Sequence, residues 1–169
     1  MIILCLIILF ISFFNNVDSF YGSPMNHIYK NIDLGDYRAA ENENYLKMYD
    51  ILSVVNCAAE LGNDYKDIKS FELNLYDMPS ETIIPIFENA YDFVKRNLNH
   101  NILVHCYMGI SRSSSFVIFY LMKERGWDYE TCIDFIREKR PTADPNYGFE
   151  RQLKDYYYEH IKKRSNYKY

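Results

Sequence analysis

His105-Cys106 and Arg112-Ser113 enclose five residues, Tyr107-Met108-Gly109-Ile110-Ser111. A cysteine and an arginine are unremarked apart, but at this spacing they describe an anion site with a nucleophile at its base. Ile102-Leu103-Val104 just before them reads as a buried strand, and Ser113 to Arg125, closed by Gly126, reads as a helix. A tight loop between a strand end and a helix start turns successive backbone N–H groups inward. The helix N-terminus adds its positive end, and an arginine fork takes two oxygens of a phosphoryl group at once. The same field favours an ionised sulfur on Cys106, and a thiolate beneath a bound phosphate is a nucleophile aimed at phosphorus.

The elements that must position this loop alternate along the chain. A short strand is expected at His27 to Lys30, then a helical stretch through Ala39, Ala40, Tyr45, Leu46 and Met48. Ile51 to Asn56 and the alternating Phe71 to Leu75 read as strands, and Thr82 to Leu98 as a helix whose first turn tolerates Pro85. Asp128 is placed to cap a helix that ends before Pro141, and Asp144-Pro145 to open a last one. Strands alternating with helices predict an α/β single-domain sandwich with a central, largely parallel sheet flanked by helices.

Composition agrees with one domain of 169 residues, 49% apolar and 25% charged. A net charge of −4 speaks against nucleic acid as a partner. The four cysteines, at 5, 57, 106 and 132, form no CxxC pair, so neither a zinc site nor a disulfide framework is expected and no cofactor is implied. Cys57 and Cys132 read as small core residues.

Residues 1–24 stand apart as an apolar leader. Met1 to Phe14 carries no side-chain charge, and as a helix it would reach about 21 Å, short of the ~30 Å of a bilayer core. Three readings stand: a signal or targeting segment cut before Phe20, a start at Met25, or an arm packed on the domain. Association with a membrane is expected only through residues 1–19. A start at Met25 implies a cytoplasmic protein, and a used leader the secretory pathway or a membrane. Residues 25–160 are read as the domain and 161–169, with Lys162, Lys163, Arg164 and Lys168, as a basic tail.

The loop matches His-Cys-x5-Arg followed by Ser or Thr, and the sequence here resembles the cysteine-dependent protein tyrosine phosphatases. The likeness to their small dual-specificity branch runs from about 27 to 155. Leu75-Tyr76-Asp77-Met78-Pro79 is similar to its general-acid loop. Arg140-Pro141, Pro145-Asn146-Tyr147-Gly148-Phe149 and Gln152-Leu153 are similar to its closing segment, and Ile32-Asp33-Leu34-Gly35-Asp36 and Val55-Asn56 to its early turns. Asp33 stands where a tyrosine is more usual, and Cys132 where alanine is common.

The resemblance implies that Cys106 attacks phosphorus while Arg112 and the loop from Tyr107 to Arg112 hold the phosphoryl oxygens. It makes Asp77 the acid, with Asp64 or Asp67 as alternatives, and Ser113 the stabiliser of the returning thiolate. His105 would order the loop and Asn146 would support it from outside. The implied activity is hydrolysis of phosphotyrosine, phosphoserine and phosphothreonine on protein substrates by a monomer. The alternatives are an RNA 5′-phosphate or phosphoinositide phosphatase, or a silent phosphate-binding module. Uncharged Tyr107, Met108 and Ile110 disfavour a phosphoinositide.

Overall fold

A computed structural model of the chain describes residues 22–62 and 64–163. The expected leader falls outside them up to residue 21, as does the tail beyond 163. Five strands form one sheet in the order β1-β2-β5-β3-β4: β1 Met25–Tyr29, β2 Ile32–Gly35, β3 Ile51–Ala58, β4 Lys69–Leu75 and β5 Asn101–His105. All neighbours are parallel except β1 and β2, a hairpin turned at Lys30 with φ 51°. The short strand β2 was hidden in sequence because all four of its residues are buried and show no alternation.

The pleat sends neighbouring side chains of the central strands to opposite faces. Ile102 and Val104 join Val55 in the larger core, whereas Leu103 and Val54 join Ala39, Ala40, Leu46 and Ile51 in the smaller one. Two short helices cover the smaller face, α1 Tyr37–Ala40 and α2 Glu43–Met48. The single helical stretch expected there is broken because Asn42 turns out to cap a second helix, accepting from the Tyr45 N–H at 3.1 Å.

The larger face carries α3 Ile84–Asn97, α4 Arg112–Arg125, α5 Tyr129–Arg137 and α6 Tyr147–Tyr156, continued by a π-helical segment Tyr157–Lys162. Helix α4 is buried along nearly its whole length and ends at Gly126, φ 69°, whose N–H returns to the Met122 carbonyl at 2.9 Å. Asp128 caps α5 through the Thr131 N–H at 2.9 Å, as expected. The cap of α6 is Asn146 rather than the Asp144-Pro145 pair; Asp144 instead holds Arg137 at 2.9 Å. Among the described residues, no helix is long and apolar enough to cross a membrane.

Phe87 locks α3 onto α4, with its ring 5.3 Å from Phe116 and 5.6 Å from Phe119. Phe87→Ala should therefore cost about 3–5 kcal/mol in urea unfolding, the range for an emptied aromatic core site. A loss within error of zero would show that this face does not depend on it.

Candidate active site

Strand β5 lies in the middle of the sheet and hands the chain to Cys106 at its C-terminal end, the edge where parallel sheets place ligands. From there every loop carbonyl finds its partner outside the loop. The Tyr107 carbonyl accepts from the Tyr37 N–H at 3.1 Å and the Ile110 carbonyl from the Asp144 N–H at 2.9 Å. Arg140 donates through Nη2 to the Met108 carbonyl at 3.2 Å and through Nε to the Gly109 carbonyl at 2.8 Å. The Ser111 carbonyl accepts from both the N–H and the Oγ of Ser115 at 2.8 Å. In a trans peptide the N–H points opposite to the C=O, so the amides of Met108 to Arg112 face inward. The Gly109 N–H reaches the Cys106 sulfur at 3.2 Å.

Glycine is required at 109. Its φ is 66°, and a Cβ there would lie 2.6 Å from the Gly35 carbonyl oxygen and overlap Arg140 Nη2. Arg140 is itself buried, anchored to Asn26 Oδ1 at 2.8 Å and the Ser23 carbonyl at 3.1 Å, with Asp36 at 3.7 Å. Burial lowers its pKa while the Asp36 charge opposes that shift. The first hairpin is thereby tied to the floor of the loop. Sequence reasoning placed Arg140 only in a closing segment and missed this role.

Cys106 is buried and accepts a second hydrogen bond from the Ser113 hydroxyl at 3.2 Å. Ser111 precedes α4 without capping it by its side chain, which leaves the first amides of that helix unspent for an anion. His105 is fully buried; desolvation pushes its pKa down to about 4, against the raising effect of a hydrogen bond to the Cys106 backbone, and the Arg112 charge lowers it further. It is a neutral imidazole at pH 7. Cys57, on neighbouring β3, is pushed well up by burial and then by the charge of Cys106, and burial likewise pushes Cys132 up to about 12, so both are core thiols as expected.

Arg112 is buried and paired end-on with Glu60, Nη1 to Oε2 and Nη2 to Oε1, both at 2.6 Å, while Nη1 also reaches the Leu75 carbonyl at 3.0 Å. Its Nε has no protein partner among the described residues, so the Nε–Nη2 edge is the one left for two phosphoryl oxygens. Burial lowers the guanidinium pKa, but Glu60 and the charges of Cys106 and Asp77 raise it overall, and the hydrogen bond from Arg112 in turn lowers that of Glu60. Glu60 went unnoticed in the sequence. Asn56 brackets the turn that carries it: its side chain donates to the Leu61 carbonyl at 2.6 Å and Glu72 Oε2 at 2.7 Å and accepts from the Ala58 N–H at 2.9 Å.

Asp77 joins the loop from the other side. Its Oδ1 accepts from Ser111 Oγ and from Asn146 Nδ2, each at 2.7 Å, and the Asn146 N–H donates to Ser111 Oγ at 3.1 Å. The segment carrying Asp77 packs so tightly on α6 that a Cβ at Gly148 would overlap the Pro79 carbonyl. Gln152 secures the junction, accepting from the Ile83 N–H at 3.0 Å and donating to the Glu81 carbonyl at 2.8 Å. Asp64 and Asp67 lie on the segment before β4 and make no hydrogen bond to the loop among the described residues; Asp67 lines a separate surface hollow with Lys47 and Leu52. The site thus gathers Cys106, Arg112, Ser113, Ser111, Asp77 and Asn146 around one inward-facing ring of amides.

Residues 32–159 match the family model described as dual specificity phosphatase, catalytic domain. The chain belongs to the dual specificity phosphatase family. It is 39% identical over 126 residues to a probable rhodanese domain-containing dual specificity protein phosphatase of Dictyostelium discoideum, covering 73% of this chain and 26% of that protein. It is 34% identical over 125 residues to dual specificity protein phosphatase 1 of Arabidopsis thaliana, covering 72% and 63%. The chain therefore spans less than two thirds of these relatives. Among solved structures it resembles human DUSP28, with a TM-score of 0.75 and 26% identity over 80% of this chain and 94% of that one. DUSP15 gives 0.76 and 25% over 86% and 96%. Family membership makes this a phosphatase catalytic domain, and its fold is that of its solved neighbours.

The neutral, buried His105 carries a pH signature. Below pH 6.5 the unfolded chain takes up a proton there that the folded chain refuses until about pH 4. Stability should fall as pH drops through that window, by about 3 kcal/mol from this group. An NMR titration of its imidazole should find a midpoint near 4; a midpoint near 6.5 would contradict the burial account.

Proposed function

We propose that the chain is a dual-specificity protein phosphatase that hydrolyses phosphotyrosine, phosphoserine and phosphothreonine through a phosphocysteine intermediate. The observation that carries this reading is the ring of inward amides closing on the Cys106 sulfur, with the Gly109 N–H and Ser113 hydroxyl at 3.2 Å from it. Donors held at fixed positions stabilise the charge that spreads over the equatorial oxygens during phosphoryl transfer.

In the first step the Cys106 sulfur forms the S–P bond as the P–O bond to the substrate side chain breaks. The ring amides and the free edge of Arg112 hold the equatorial oxygens. Asp77, with Oδ1 held by Ser111 and Asn146, gives the departing oxygen a proton carried on its other carboxyl oxygen. A serine or threonine alkoxide needs that proton more than a phenolate does. In the second step water attacks phosphorus, Asp77 takes a proton from it, and the S–P bond breaks to return the thiolate, which the Ser113 hydroxyl stabilises. His105 serves as a neutral hydrogen-bonding brace for the loop.

A phosphoinositide with several phosphates would call for cations beside the loop, whereas Tyr107, Met108 and Ile110 are uncharged. The net charge of −4 likewise disfavours RNA 5′-phosphates.

Native protein, Cys106→Ser and Asp77→Ala should be compared on an aryl phosphate and on phosphotyrosyl and phosphothreonyl peptides. Cys106→Ser should bind but not turn over. Asp77→Ala should lose about 10²–10⁴-fold on the phosphothreonyl peptide and much less on the aryl phosphate. Phosphate binding without turnover by the native protein would instead make the chain a silent phosphate reader, and an Asp77→Ala variant unchanged on both substrates would remove Asp77 from the mechanism.

A further inference from the structure

The fold buries most of its aromatic and long aliphatic side chains, yet five of the large apolar residues left exposed stand together around the site. Tyr76 and Met78 flank Asp77, Tyr107 and Met108 follow Cys106, and Tyr147 follows Asn146, each between 44% and 72% exposed. Asp77 joins their three segments through its 2.7 Å bonds to Ser111 and Asn146, so the segments that carry these side chains meet at the mouth of the site. Apolar side chains gathered at the mouth of a polar site mark a surface that meets a partner. Tyrosine and methionine are also residue types suited to that contact, one rigid and amphipathic, the other adaptable.

The rim is uncharged apart from the catalytic acid. In the segments 76–78, 107–110 and 146–147 the only ionisable carboxylate or cation is Asp77. Three of the neighbouring arginines are engaged, Arg38 with Asp36 at 2.7 Å, Arg112 with Glu60 at 2.6 Å and Arg137 with Asp144 at 2.9 Å; Arg151, which lines a shallow hollow with Tyr147 on α6, lies outside these three segments. A second phosphate or an acidic flank would find no free partner in these segments, while an apolar flank would cover surface otherwise left to water.

One member of the rim is held in place. The Tyr107 ring stacks on Tyr37 with centroids 5.0 Å apart and planes 18° from parallel, and the Tyr37 N–H fixes the Tyr107 carbonyl at 3.1 Å. A ring fixed next to the nucleophile costs little ordering when a second flat ring packs against it. We propose that this rim selects phosphotyrosine set among apolar, uncharged residues, with Tyr37 as the positioning residue that holds Tyr107 against the substrate ring. The inference rests on the phosphatase reading and sharpens it from three phosphoamino acids to a preferred one and its surroundings.

The test uses the full 169-residue chain and four synthetic peptides: phosphotyrosine flanked by leucine and valine, by lysine, or by glutamate, and phosphothreonine flanked by leucine and valine. The apolar phosphotyrosine peptide should give the highest kcat/KM, and Tyr37→Ala should raise its KM about three- to tenfold, the worth of an aromatic contact. The kcat on that peptide and the KM of the phosphothreonine peptide should stay unchanged, and Tyr37→Phe should restore the native KM. Equal kcat/KM across the phosphotyrosine peptides, or a Tyr37→Ala loss shared by phosphothreonine, would overturn the rim proposal while leaving the phosphatase reading standing. Hydrolysis of none of the peptides would overturn the phosphatase reading alone. Fluorescence anisotropy with the same peptides then reads the rim directly, and equal affinities for all four would overturn it.

Discussion

The carbonyls of Tyr107 to Ser111 all point away from the sulfur they surround, and each is held there by a donor from a different part of the chain or from the helix that follows. A short loop left to itself would satisfy its backbone with water in many ways. Fixing the carbonyls outside forces the amides inside, and a ring of inward amides is an anion receptor before any anion arrives. This constraint explains why the first hairpin matters to chemistry at the far end of β5. Through Ser23 and Asn26 it holds Arg140, and Arg140 holds the two carbonyls at the middle of the loop.

The charged residues around the ring divide the work by which edge or atom they leave free. Glu60 takes the end of the Arg112 fork, which leaves the Nε side for a phosphoryl group. Ser111 and Asn146 take one oxygen of Asp77, and the other is the one that would carry the proton in the proposed mechanism. His105 carries no charge at pH 7 because burial forbids it, so the positive field at the sulfur comes from amides, the α4 N-terminus and Arg112. Buried polar groups in such numbers are tolerated because nearly every one has a partner.

The sequence made legible what local spacing encodes. Cys106, Gly109, Arg112 and Ser113 stand close along the chain, between a buried strand and a helix, so their joint purpose is visible without knowing the fold. The parallel sheet and the ends of α4 and α5 were readable for the same reason, since Gly126 and Asp128 act on adjacent turns. Contacts spanning many residues were not readable: Arg140 lies 31 residues from the Gly109 carbonyl it holds, and Glu60 lies 52 from Arg112. Nothing near either residue signals that purpose. The strand β2 was missed because complete burial erases alternation, and Asn146 was passed over as a cap because Asp144-Pro145 carries a stronger local turn signal.

An NMR titration of the native chain with inorganic phosphate, following backbone amides and the arginine Nε–H signals, tests the receptor most directly. The inward ring predicts that the amides of Met108, Gly109, Ile110, Ser111 and Arg112 shift together with one saturation curve, accompanied by the Arg112 Nε–H. Phosphate that leaves these signals unmoved, or shifts only residues elsewhere on the surface, would contradict the claim that the outward carbonyls build an anion site above Cys106.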